Sequence, residues 1–146
     1  MRSIRKLGIA AALAWAVSMG QAVAAETISV YKSSTCQCCE KWIEHLRKSG
    51  FEVRSTDTEK MNEVKGRFGV PMEMRSCHTA VVNGYVIEGH VPVSDIQRLL
   101  KERPKVAGLA APGMPPGSPG MEGPTPEPYA VMSFAKDGTS ALFAKH

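Results

Sequence analysis

Three of the four cysteines in this chain fall within four residues, Cys36-Gln37-Cys38-Cys39, and nothing else in the sequence restricts the fold as strongly. Cys38 and Cys39 are adjacent, and a disulfide between neighbours is strained, so the distant Cys77 can satisfy only one of the clustered thiols. Thiolates held this close can share a soft cation or exchange electrons. The question for the rest of the chain is whether it brings further ligands to these sulfurs or only holds them.

The chain opens with Met1-Arg2-Ser3-Ile4-Arg5-Lys6, runs through an apolar stretch over 7–19 and reaches small residues at Ala22-Val23-Ala24-Ala25. A basic start, a short apolar middle and an A-x-A pattern read as a secretory signal peptide over 1–24, cleaved after Ala24. The stretch is too short for a comfortable span, so the expectation is a soluble exported protein with no stable membrane insertion after cleavage. The net charge of +4 is then largely a targeting signal, because Arg2, Arg5 and Lys6 leave with the peptide. No basic stripe interleaved with aromatics remains, which argues against nucleic acid as a partner. Export sets the cysteines in an oxidising compartment, where two disulfides would be the default, and the crowding of three thiols argues against it.

Residues 27–31, Thr-Ile-Ser-Val-Tyr, alternate and are rich in β formers, which predicts a first strand. Cys39, Trp42, Ile43 and Leu46 then recur at helical spacing, with Ser33, Ser34 and Thr35 as N-cap candidates and Ser49-Gly50 as the stop. The cysteines fall in the first turn, where free N–H groups favour thiolate. A second strand is expected over 51–55. Thr58 is the expected cap of a helix through Met61, Val64 and Phe68, and a hairpin follows about Asn83-Gly84. The third helix carries Ile96, Leu99 and Leu100, has Ser94 as its expected cap and stops before Pro104. This order, βαβαββα, predicts an α/β protein of thioredoxin-like arrangement, with residues 25–107 as the metal-binding domain. Residues 108–128 are dominated by Gly and Pro and read as irregular. A second hairpin about Asp137-Gly138 follows, so 108–146 is expected to be a Pro/Gly/Met-rich loop and a C-terminal β-hairpin packed on the same domain.

Cys36 and Cys39 form a C-x-x-C pair with Cys38 added inside it. A dithiol exchanger has no use for a third sulfur, which competes for every mixed disulfide. For a soft metal the extra thiolate helps, because sulfurs on one helical turn can bridge several ions in a cluster. Cys77-His78 precede the third strand, which in this arrangement runs antiparallel to the first and so starts at the sheet end that bears the cysteines. His78 falls about where thioredoxin-like folds carry a cis-proline. A disulfide from Cys77 to one of the clustered cysteines stays open, as does a structural disulfide with a spare thiol. His90, at the finish of the fourth strand, returns to the same end. His45 lies two turns from Cys38, about 10 Å along the axis, and is expected at the surface. Met72, Met74, Met114 and Met121 offer thioethers, soft ligands for Cu(I) that form no disulfides, whereas Met61 and Met132 suit a core.

Four separated blocks carry a likeness: Cys36-x-Cys38-Cys39; Ser76-Cys77-His78-Thr79-Ala80-Val81-Val82; Gly84-Tyr85-Val86-Ile87-Glu88-Gly89-His90-Val91-Pro92; and Pro112-Gly113-Met114-Pro115. The chain resembles the exported metal-binding proteins of the CopG copper-resistance type, formerly a domain of unknown function. The resemblance implies a periplasmic, thioredoxin-like protein whose C-x-C-C motif holds a multinuclear copper site and is proposed to take part in copper redox. It implies Cys36, Cys38, Cys39 and Cys77 as sulfur ligands, with His78, His90 and Met114 in matching blocks.

The leading expectation is therefore a periplasmic protein that binds copper, as Cu(I) or Cu(II), and works with other copper-handling proteins of the periplasm or envelope. The alternative is a thiol-disulfide oxidoreductase using Cys36 and Cys39. Structural zinc on the Cys and His ligands is a third reading, against which the signals for a hydrophobic core speak.

Overall fold

A strand that buries every second residue presents one face to a core, and β1 (Thr27–Lys32) buries Ile28, Val30 and Lys32 in this way. In the computed structural model, which describes residues 25–146, β1 is the second strand of a seven-stranded sheet. The signal peptide expected over 1–24 lies outside the described residues. The other elements are α1 (Gln37–Lys48), β2 (Glu52–Asp57), α2 (Met61–Arg67), β3 (Thr79–Val82), β4 (Tyr85–Glu88), α3 (Val93–Glu102), β5 (Gly108–Ala110), β6 (Ala130–Phe134) and β7 (Ser140–Lys145). The strand order is β2-β1-β3-β4-β5-β6-β7. No helix among the described residues is long and apolar enough to cross a membrane.

The α/β class and the βαβαββα order through α3 are as expected. β1 and β2 pair in parallel, joined by α1, while β3 runs antiparallel to β1 with Tyr31 opposite Thr79. That register puts the chain just before Thr79 at the end of the sheet where β1 hands over to α1. Asn83 and Gly84 both adopt positive φ, the turn geometry that matches strand twist, and β4 returns to bring Glu88 opposite Thr79. Two clusters of buried side chains cover the two faces. Trp42, Ile43 and Leu46 of α1 and Ile96 and Leu99 of α3 pack on Ile28, Val30, Ala80 and Ile87. Val70, Met74, Val86, Ala110 and Phe134 form the second cluster.

Several local expectations fail for identifiable reasons. Ser33 and Ser34 do not cap α1, because their hydroxyls donate to Glu59 at 3.2 Å instead, and Cys36 occupies the N-cap without a side-chain bond. Ser94 lies inside α3, whose N-cap is Pro92, a residue whose fixed φ suits a helix entry. Lys60, not Thr58, precedes α2; the Thr58 hydroxyl accepts the Lys60 N–H at 3.1 Å and holds the turn before it. The stretch 108–128 is not wholly irregular, since its first residues form β5, parallel to β4, onto which β6 and β7 continue the sheet. The sequence periodicity misses β5 because three residues carry too little pattern. Met74 is buried in the second core cluster and is not a free thioether. No cis peptide occurs among the described residues, at His78 or elsewhere.

Candidate metal centre

The first turn of α1 presents the motif as the helical repeat dictates. Cys39 points inward and is fully buried, in line with Trp42 and Ile43, while Cys36 and Cys38 are half-buried at the sheet end. Cys36 and Cys39 are joined as a disulfide, with Cα atoms 5.3 Å apart, and Cys38 and Cys77 are free thiols. The Cys38 sulfur lies 3.5 Å from that of Cys36. All four sulfurs, from Cys36, Cys38, Cys39 and Cys77, fall within 4.8 Å of one another.

Cys77 also belongs to a second group. Its sulfur lies 3.0 Å from His90 Nε2 and 3.3 Å from His78 Nδ1, and these three ligand atoms are again within 4.8 Å of one another. The topology therefore gathers six of the seven residues expected at the site. His90 Nδ1 donates to the Pro119 carbonyl at 2.7 Å, which leaves its Nε2 lone pair facing the sulfur. His78 is fully buried, with its ring 4.2 Å from that of Trp42 and 5.1 Å from that of His90, and its Nε2 has no hydrogen-bond partner. Burial, followed by the neighbouring His90 and Lys65 charges, pushes the His78 pKa well below its usual value. Burial likewise lowers that of His90, against the opposing pull of Pro119 and Glu122. Both rings are thus neutral at neutral pH, the form that ligates. Burial and then the nearby Cys38 push the Cys77 thiol up to about 11, so a cation binding there must displace a proton.

The seventh residue, Met114, is half-exposed in the segment after β5. Its neighbour Gly113 pairs with Ser76, which places the Met114 backbone beside the Ser76-Cys77 strand approach. Met72 is largely exposed, and Met121 lines an open cleft of about 540 Å³ with Cys36, Gln37, Cys38 and Lys41. His45 is at the surface as expected and pairs at 2.6 Å with Glu122.

Residues that sequence reasoning did not assign to the site complete its walls. The segment 113–122 straps over the cysteines, tied by Pro119 to His90 and by Glu122 to His45. Gly120 is the point of closest approach: at φ +90° a Cβ there would lie 2.6 Å from the Cys38 carbonyl oxygen and 3.1 Å from His90 Nδ1. No spacing rule announces a backbone carbonyl as a partner for His90. The donor set, two free thiols and two neutral imidazoles, joined by two further thiols when the Cys36–Cys39 disulfide is reduced, suits a soft cation such as copper better than a hard one.

The family model described as a protein of unknown function, DUF411, matches residues 74–121. Two solved structures of a copper resistance protein, copG, are similar to this chain. Form 2 is 43% identical with a TM-score of 0.80, covering 84% of this chain and 98% of that one. Form 1 is 44% identical with a TM-score of 0.78, covering 82% and 96%. No match was found among curated proteins.

Proposed function

The chain belongs to the CopG copper-resistance family, and from that premise we propose that it is a periplasmic copper-binding protein that carries Cu(I) on Cys36, Cys38, Cys39 and Cys77. His78, His90 and Met114 complete the ligand set. Copper is the cargo in this reading, held as a multinuclear cluster in which thiolates bridge ions. The observation that carries it is the shared position of Cys77, whose sulfur belongs both to the four-sulfur group and to the group with His78 and His90. One sulfur common to two sets of ligands favours several ions over one. The basic and apolar start of the chain supports export, and a copper-resistance role supports copper over zinc.

The Cys36–Cys39 pair adds a redox function to this site. Two Cu(II) ions taking one electron each would oxidise the two thiolates to the disulfide and become two Cu(I). Reduction by a two-electron donor of the envelope would restore both thiolates. Anaerobic titration of the reduced protein, residues 25–146, with Cu(I) against a competing chelator tests the reading. Tight binding of more than one ion per chain, with proton release from Cys77, is the expected result. Weak binding, or binding indifferent to Cys38→Ser, would refute it.

The same disulfide favours a second reading, a thiol-disulfide oxidoreductase acting through Cys36 and Cys39. That activity would survive Cys38→Ser and need no metal. Absence of exchange between the reduced protein and model disulfides would end it.

A further inference from the structure

We propose that Glu88 is a positioning residue for the metal centre: its single buried carboxylate clamps both flanks of Cys77-His78 and so sets where the Cys77 sulfur stands. One oxygen, Oε1, accepts the Ser76 N–H at 2.7 Å, and the other, Oε2, accepts the Thr79 hydroxyl at 2.6 Å. These are the residues immediately before and after the Cys77-His78 pair. Lys65 closes the arrangement from α2, with Nζ 2.5 Å from Glu88 Oε1 and donating to Thr79 Oγ1 at 3.1 Å. Glu88 and Thr79 are fully buried and Lys65 is 4% exposed.

The pairing of β3 with β4 explains why Glu88 can do this. Thr79 and Glu88 are direct cross-strand partners, so the carboxylate lies beside the point where the chain leaves the sheet toward Cys77. Stability alone is a poor reason for such an ion pair. Two charges taken out of water lose more solvation than their attraction restores unless further hydrogen bonds complete them, and a well-packed apolar pair often serves a core equally well. An apolar pair could not catch the Ser76 N–H and the Thr79 hydroxyl together. Ser76 is tied a second time through its own hydroxyl to the Gly113 carbonyl, which joins the clamp to the strap over the site. Residues that orient a metal-holding side chain in this way commonly matter to affinity almost as much as the ligands.

The inference rests on the reading of Cys77 as a metal-holding thiol, and its test separates the two. In the metal-free protein with Cys36 and Cys39 oxidised, Cys38 and Cys77 are the two free thiols, so Cys38 serves as an internal reference. Alkylation of both with iodoacetamide, followed by peptide mass spectrometry, is compared between the wild type, Glu88→Gln and the double variant Lys65→Met/Glu88→Leu. The double variant removes both charges and keeps the test available where the single one fails to fold; urea unfolding reports stability in parallel. Loosening of 76–79 is expected to raise the Cys77-to-Cys38 rate ratio about tenfold through local opening. Cu(I) affinity, measured by chelator competition, is expected to fall by about 10–100-fold. A folded variant whose rate ratio stays within about threefold of the wild type, with only its unfolding midpoint lowered, overturns the clamp and leaves Glu88 a purely structural group. A wild type that binds no Cu(I) defeats the proposed function, and the rate ratio still decides the clamp.

Discussion

The two halves of the candidate metal centre are built in opposite ways. Cys36, Cys38 and Cys39 come from four consecutive residues, and one helical turn holds them together whatever the rest of the chain does. Cys77, His78 and His90 come from the ends of two strands, and their ring and sulfur atoms meet only through the register of β1, β3 and β4 and the strap from Pro119. The local half holds the Cys36–Cys39 disulfide, the pair to which the proposed redox function is assigned. The distant half supplies neutral imidazoles and a thiol kept protonated by burial. With Cys36 and Cys39 oxidised, the Cys38 and Cys77 thiols and the His78 and His90 rings remain in place.

Trp42 joins the halves, and its removal is the severest test of the division. The ring is fully buried on α1 against His78, and its indole N–H donates to the Val91 carbonyl at 2.9 Å. Trp42→Ala is expected to cost about 3–5 kcal/mol in urea unfolding, from lost burial and the cavity left behind. Should the halves be independent, the Cys36–Cys39 disulfide would still form in this variant while Cys77 became freely reactive. The next largest effect falls on the local half. Cys38→Ser is expected to weaken Cu(I) binding by the reduced protein on the order of a hundredfold, about 3 kcal/mol, while the Cys36–Cys39 disulfide still forms in the oxidised protein. Chelator competition measures the first and thiol counting the second.

Acid should attack the distant half first. Burial lowers the pKa of both His78 and His90, so the unfolded chain takes up protons at a higher pH than the folded one. Their contribution is complete above about pH 6.5 and is lost as the pH falls below it. Unfolding of the metal-free protein followed downward from about pH 7.5 should show this loss, at no more than about 1.4 kcal/mol per pH unit for each histidine, with the His78 share absent in His78→Gln. The smallest effect belongs to the exposed end of the strap. His45→Gln breaks a contact with Glu122 between two partly exposed side chains and should change stability by less than about 1 kcal/mol, as judged by the unfolding midpoint.

The fold was legible where a pattern is long or a turn is chemically specific. The spacing of Cys39, Trp42, Ile43 and Leu46 marks α1, and Asn83-Gly84 marks the hairpin that turns β3 into β4. The caps were misread because a serine hydroxyl prefers whichever acceptor the tertiary structure offers, and Glu59 offered one to Ser33 and Ser34. Met74 was misread because a methionine in a loop has no period to show which way it faces. Lys65 and Glu88, two ordinary charges in a helix and a strand, gave no sign of meeting at 2.5 Å in the interior.

By itself the sequence determined which sulfurs are close, since residues in one helical turn are neighbours under any tertiary arrangement. It also determined that Cys77, His78 and His90 lie at strand ends, because β patterns and an Asn-Gly turn place them there. Only the tertiary structure decided that the Cys77 sulfur stands between two imidazoles, that a Pro119 carbonyl fixes which nitrogen of His90 is free, and that a buried carboxylate holds the chain on both sides of it. Those contacts join residues far apart in the chain, and their geometry depends on register, packing and burial together. No local pattern encodes them.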